Sequence, residues 1–85
     1  MDRDSARIAA ALVERVARGE LAATPALKEW PQDATVDELL KSSWHDLSHF
    51  AADLDVRRKD PRYETYQVTL LLKRVKQIKE KYGLV

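Results

Sequence analysis

The chain has no cysteine among its 85 residues and only two glycines, which lie far apart. The lack of cysteine excludes a disulfide framework, a thiolate metal site and a cysteine nucleophile. Two isolated glycines cannot form the glycine-rich loop that cradles a phosphate. None of the serines has a plausible base beside it on the same helix face. We therefore expect a protein without catalytic activity or a cofactor.

Long apolar runs are also missing from the sequence. No stretch approaches the roughly 20 apolar residues that a membrane-spanning helix needs. The start of the chain, Met1 to Asp4, carries two acids and no following apolar segment typical of a signal peptide. We therefore expect a soluble, cytoplasmic protein with no membrane partner, folded as one helical domain over residues 1–85.

Apolar residues recur three and four positions apart throughout the chain, which is the period of a helix and not of a strand. The fold predicted is a small all-α bundle of three longer helices and one short connecting helix. The predicted ranges are 4–19, 25–29, 35–58 and 61–82. Asp4 or Ser5, Thr24 and Asp60 are the predicted N-caps of the first, second and fourth helices, and Gly19 and Gly83 are the predicted stops of the first and fourth.

The long helix over 35–58 is the element around which the prediction is built. Thr35 and Glu38 fit a capping box, in which the Thr hydroxyl and the Glu carboxylate each bond a backbone N–H. The turn after Lys59 is short, so we expect this helix and the last one to form an antiparallel hairpin. One apolar stripe should face the core, formed by Val36, Leu39, Leu40, Trp44, Leu47, Phe50, Ala51 and Leu54.

Trp30 lies in the connection between the second and third helices. We expect it to close one end of the bundle together with Leu21 and Leu27. The alternative is a place on a binding surface, because tryptophan is enriched among the residues that dominate interface energies.

Charge is divided unevenly along the chain, although the net charge is only +1. Residues 1–55 carry six Lys/Arg against eleven Asp/Glu, whereas residues 56–85 carry nine against three. One interpretation is that acidic and basic helices lie side by side and neutralise each other. The other is a basic face that binds an anionic partner.

The basic residues of the last third of the chain are the candidates for such a face. Four of them surround the predicted turn and two lie together on the last helix: Arg57, Arg58, Lys59 and Arg62, then Lys73 and Lys76. Clustered cations bind nucleic acid by displacing counterions from phosphates, and Tyr63 and Tyr66 could stack on bases. The sequence shows no homeodomain, zinc-finger or RNA-binding motif.

A second apolar line on the last helix consists of Tyr63, Tyr66 and Leu70. It lies off the main stripe, so the last helix is apolar on more than one side. Either the helix is central to the bundle, or the line is an exposed protein interface. Homodimerisation by helix pairing would be the simplest form of such an interface.

His45 and His49 are four residues apart on one predicted helix face, as in the H-E-x-x-H zinc motif. Asp53 could add a carboxylate ligand. However, an aspartate replaces the glutamate of that motif, and the pair points away from the apolar stripe. His45 and His49 are therefore only weak metal candidates.

The function predicted from the sequence is a non-catalytic protein–protein interaction or regulatory module, such as an adaptor, an inhibitor or a small accessory subunit. The last helix and the basic turn would make the contact with a protein partner or with a second copy. The alternative is a nucleic-acid-binding accessory protein that uses the same basic residues.

Overall fold

The computed structural model describes residues 3–84, except for the side chains of residues 35 and 36. The helices are α1 (Arg3–Ala17), α2 (Ala23–Lys28), α3 (Glu38–Ala52), α4 (Leu54–Lys59) and α5 (Pro61–Tyr82), with a 3-10 helix at Gln32–Val36. Within residues 3–84 there is no strand. The prediction of a small all-α bundle with three long helices is confirmed.

The core is organised by α5, which packs against both α1 and α3. The inner face of α1 is rich in alanine, and Ala6 and Ala9 are completely buried. Their small side chains allow the neighbouring helices to approach closely. Leu71 and Ile78 of α5, which are also buried, face this core with Leu40 and Leu47 of α3.

The ends of α1 and α5 agree with the prediction. Gly19 and Gly83 both have positive φ, 76° and 65°, which is the left-handed conformation that ends a helix at little cost only with glycine. After α5 the Leu84 N–H donates to the Lys79 carbonyl over 2.8 Å, the Schellman pattern. At the start of α5, the Asp60 side chain caps the helix by accepting from the Arg62 N–H.

The predicted start of the long helix is wrong. Residues 32–36 form the 3-10 helix, and α3 begins at Glu38 with Asp37 as its N-cap. The Asp37 carboxylate accepts from the backbone N–H groups of Leu39 and Leu40, at 2.8 and 3.1 Å. Asp37, which directly precedes Glu38, is the N-cap in place of the predicted Thr35. The side chains of Thr35 and Val36 lie outside the described residues.

The predicted single helix over 35–58 is also interrupted at Asp53, which has φ −94° and ψ 18°. The Asp53 carboxylate is used by α5, since it accepts from the Tyr63 hydroxyl and the Gln67 amide. The carbonyl of Phe50, one turn before the break, accepts from the Arg57 guanidinium. These side-chain contacts link the region of the break to residues that follow it. α4 is therefore a separate short helix.

α4, which the prediction includes in the long helix, stands between α3 and α5. Their contacts nevertheless run in opposite order along the two helices. Asp37 bonds Tyr82 and Lys81 near the end of α5, whereas Asp46 bonds Arg74 near its middle.

The predicted N-caps of the first two helices are also wrong. Asp4 and Ser5 lie inside α1, and the Ser5 hydroxyl donates to the Asp33 carboxylate over 2.9 Å. α2 begins at Ala23, before Thr24, with no side-chain cap. Pro25 is therefore in the first turn of α2, where a missing N–H costs nothing.

Trp30 is buried, and Leu21 and Leu27 are partly buried against the same core. Trp30 therefore belongs to the interior and not to a binding surface. Its indole Nε1 is the one buried side-chain nitrogen or oxygen of the described residues that has no hydrogen-bond partner.

The two ends of the described chain meet. The Arg3 guanidinium on α1 donates to the Gly83 carbonyl after α5, with Nη2 and the oxygen 2.7 Å apart. Across residues 3–84, every helix is too short or too polar to cross a membrane.

Candidate functional site

A groove between α3 and the first half of α5 contains all three residues of the predicted second apolar line. We call it the tyrosine groove; its volume is about 250 Å³. Its lining residues are Asp46, His49, Asp53, Tyr63, Tyr66, Gln67, Leu70 and Leu71. Aromatic and apolar walls with a few polar groups are the usual composition of a binding surface.

The two tyrosines of the groove stack on each other, with ring centroids 6.2 Å apart. Tyr63 is held in place by its hydroxyl, which donates to Asp53 Oδ2 over 2.8 Å. This hydrogen bond, together with burial, raises the pKa of Tyr63 above its ordinary value. Tyr66 has no such anchor and is 59% exposed. One ring is therefore fixed, and the other is presented to solvent.

A network of polar side chains forms the floor of the tyrosine groove. Gln67 Nε2 donates to Asp53 Oδ2 over 3.0 Å, and Gln67 Oε1 accepts from Arg57 Nη1 over 2.9 Å. Both Gln67 and Arg57 are buried. Because buried polar groups are costly unless they are hydrogen-bonded, this network fixes the relative positions of α4 and the start of α5.

Arg57 differs from the other predicted interface cations. It is 7% exposed, and its guanidinium lies over the Phe50 ring, 3.4 Å from the centroid. Burial lowers the pKa of Arg57, although Glu64 and Asp53 act in the opposite direction. Arg57 is therefore an interior residue, whereas the sequence pattern groups it with the surface cations of the turn.

The remaining predicted cations are exposed: Arg58, Lys59, Arg62, Lys73 and Lys76. None of the five makes an ion pair with any residue that the structure describes. Helical spacing puts Arg62 and Lys73 on the same side of α5 as Tyr66. The exposed ring of the tyrosine groove is thus flanked by free positive charge.

Other cations of α5 are paired across the bundle. Arg74 lies 2.6 Å from Asp46, and Lys81 lies 2.6 Å from Asp37. Lys79 lies 3.6 Å from Glu14 of α1. One side of α5 therefore neutralises acidic residues elsewhere in the bundle. Another side of α5 keeps a basic face.

The two histidines are exposed and do not come together with further ligands. His45 contacts Trp44 edge to face, with centroids 5.3 Å apart. His49 lies at the tyrosine groove. Among the described residues no group of three or more His, Asp or Glu side chains is placed to hold a metal ion.

A second groove is lined by residues of α1, α2, the end of α3, α4 and the start of α5. We call it the arginine groove, because Arg57 and Arg58 both line it; its volume is about 540 Å³. The apolar walls include Val16, Leu21, Phe50, Leu54, Pro61 and Val68. Sequence reasoning missed this groove, because it assigned Leu54 to the core stripe of one continuous helix.

Sequence reasoning also missed the polar network. Gln67 lies four residues before Leu71 on the inner face of α5, so a polar residue in an apolar stripe was visible in the sequence. That pattern predicts a buried hydrogen-bonding partner, but it cannot say that the partners are Asp53 and Arg57.

The chain matched nothing when it was compared with models of protein families, with curated proteins and with solved structures.

Proposed function

We propose that this protein is a non-catalytic protein–protein interaction module, of the adaptor, inhibitor or accessory-subunit kind. The tyrosine groove and its flanking cations form the contact surface. The observation that carries the proposal is Tyr66, a large aromatic side chain that is 59% exposed beside a groove. Tyrosine and arginine are among the residues that dominate the energies of protein interfaces.

The surface suggests the chemistry of the partner. Leu70 and the exposed Tyr66 ring favour an apolar or aromatic side chain, and the unpaired charges of Arg62 and Lys73 favour a carboxylate beside it. The partner proposed is therefore a protein segment that combines apolar and acidic side chains.

We predict that Tyr66→Glu removes partner capture while the domain remains folded. The substitution removes the exposed ring and adds a negative charge to a groove that already contains acidic side chains. Loss of an interface tyrosine of this kind weakens binding by about thirtyfold, which corresponds to about 2 kcal/mol. The measurement is affinity capture of the tagged chain from a lysate of its source, read by mass spectrometry, with circular dichroism as the folding check.

Leu72→Glu is the matched control, because Leu72 is 44% exposed on the same helix but does not line the groove. It should leave capture unchanged. If both variants recover the same proteins as the original chain, the tyrosine groove is not the contact surface. Recovery of the bait alone, with a doubled mass in light scattering that Tyr66→Glu abolishes, would identify a second copy as the partner.

The second candidate function is nucleic-acid binding, and it is favoured by the five exposed cations that have no ion pair among the described residues. This function predicts that the chain shifts the mobility of a duplex or single strand. Its affinity for the nucleic acid should fall steeply between low and moderate salt. Treating the lysate with nuclease before capture distinguishes the two candidates. Partners that are lost with nuclease favour this second function, and partners that persist favour the first.

A further inference from the structure

Arg57 is a buried cation that forms no close ion pair with a described residue, although Glu64 and Asp53 favour its charged form from a greater distance. No carboxylate of the described residues lies within 4 Å of its guanidinium. Both of its hydrogen bonds, to the Phe50 carbonyl and to Gln67 Oε1, come from Nη1 alone. The two acceptors are neutral. A buried charge is costly unless it is paired, so an anion in direct contact with the guanidinium would stabilise it further.

Arg57 has donors that make no hydrogen bond with a described residue, and the residue lines a groove. Nε and Nη2 make no hydrogen bond with a described residue, yet neither is completely buried. Arg57 lines the arginine groove, whose volume of about 540 Å³ is in the usual range for small-molecule sites, about 300–1,000 Å³. A guanidinium with two free nitrogens presents the geometry that holds a carboxylate by paired hydrogen bonds.

The rest of the arginine groove limits the ligand to one that is mostly apolar and carries a single negative charge. Its walls include Phe50 and Leu54, and the exposed Arg58 adds a second cation at the rim. Glu64 also lines the groove, and its carboxylate repels a doubly charged group such as a phosphate monoester more strongly than a singly charged carboxylate. A monocarboxylate with a hydrocarbon body satisfies all of these conditions.

We propose that the arginine groove binds a small aliphatic monocarboxylate, with its carboxylate at Arg57 and Arg58 and its hydrocarbon chain along the apolar walls. This site is separate from the tyrosine groove and does not depend on the function proposed for it. The Arg57–Gln67 hydrogen bond is the direct link between the floors of the two grooves.

The test is a titration of the full chain with octanoate, followed by calorimetry and by amide chemical shifts in ¹H–¹⁵N spectra. The expected result is saturable binding of one octanoate, with the largest shifts in α4 and at the end of α1. 1-Octanol and octylammonium have the same hydrocarbon chain without the negative charge. Each should bind at least about tenfold more weakly, because a charge-assisted hydrogen bond is lost.

Two matched pairs of variants locate the site. Arg58→Ala should weaken octanoate binding, whereas Lys59→Ala, which removes an exposed cation next to it but outside the groove, should not. Leu54→Glu should abolish binding, whereas Val56→Glu should not. Leu54 and Val56 are 42% and 48% exposed on the same helix, and only Leu54 lines the groove.

Equal affinity for octanoate and 1-octanol would overturn the assignment of a carboxylate site. Equal effects within both pairs of variants, or no saturable octanoate binding, would overturn the assignment of the groove. Tyr66→Glu should leave octanoate binding intact, so failure of this site is distinguishable from failure of the proposed protein interface.

Discussion

Asp37 accepts four hydrogen bonds with one carboxylate. It caps α3 through the N–H groups of Leu39 and Leu40, and it accepts from Lys81 and Tyr82 at the far end of α5. Burial alone would raise the pKa of Asp37, but the hydrogen bonds from Lys81 and Tyr82 outweigh it and lower that pKa to about 2. Burial and the same contact raise the pKa of Tyr82 to about 12.

We predict that Asp37→Asn lowers the free energy of unfolding by about 2 kcal/mol at pH 7. The folded pKa of about 2 is below the ordinary value of 3.8, so the contribution is complete above pH 4 and is lost as the pH falls towards 2. Urea denaturation at several pH values from 7 down to 2.5 measures it. The difference between the original chain and the variant should shrink across the acidic part of this range.

Asp55→Asn is the control, since Asp55 is an exposed acid on α4. It should change the free energy of unfolding by less than about 0.5 kcal/mol at every pH. A difference between Asp37→Asn and the original chain that does not vary with pH would show that ionisation of the carboxylate is not the source of the stabilisation.

At the scale of single residues, the sequence predicts the candidate site unevenly. Tyr63, Tyr66 and Leu70 could be grouped from helical spacing, because spacing fixes which residues of one helix share a face. The sequence groups Arg57 with Arg58 and Lys59, because the three are consecutive cations. Only tertiary contacts with Phe50 and Gln67 distinguish the buried arginine from its exposed neighbours.

Among the helices, the break at Asp53 is the feature with the largest effect on both grooves. It sets α4 apart from α3 and so places Leu54 and Arg58 along the arginine groove. The Asp53 side chain ties the break to α5, through the Tyr63 hydroxyl and the Gln67 amide.

We predict that Asp53→Ala lowers the free energy of unfolding by about 1–3 kcal/mol, because the Tyr63 hydroxyl loses its acceptor and the buried Gln67 amide keeps only its longer hydrogen bond, to Tyr63. The pKa of Tyr63 should also fall back towards its ordinary value, since its hydrogen bond to Asp53 is the main reason that it is raised. Urea denaturation measures the first effect, and titration of tyrosine absorbance in the ultraviolet measures the second.

Asp55→Ala, which removes an exposed acid two residues away, should produce neither effect. If Asp53→Ala matches Asp55→Ala in both measurements, the network at the floor of the tyrosine groove does not contribute to the folded state.

Helix boundaries could be predicted where the responsible residue acts locally. Gly83 and Asp60 act on their own backbone neighbours, so the sequence predicts a helix over residues 61–82, as observed. The break at Asp53 depends on contacts with Tyr63 and Gln67, which a pattern of apolar spacing does not contain. Thr35 and Asp37 are competing caps of α3, and contacts from Lys81 and Tyr82 favour Asp37.

For the molecule as a whole, the packing of α1 depends on alanine. Ala9 is completely buried in the helix that packs against α5, whereas Ala11 is exposed two residues later. Small side chains at the buried positions set the distance between the helices, so the bundle has little room for a larger residue.

We predict that Ala9→Leu lowers the free energy of unfolding by about 1–3 kcal/mol through overpacking, and that Ala11→Leu changes it by less than about 0.5 kcal/mol. Urea denaturation of the two variants side by side is the measurement. Equal stabilities would mean that α1 and its neighbours are not in close contact at Ala9.

The hydrogen bond between Arg3 and Gly83 places residues 3 and 84 at the same end of the bundle. α5 is about 33 Å long at 1.5 Å per residue, and both grooves lie towards its opposite end, around Pro61 and Tyr63. A tether, a surface or a further polypeptide joined near residue 3 would leave from the same place as one joined near residue 84. In either case the attachment point would lie at the end of the bundle opposite the two grooves.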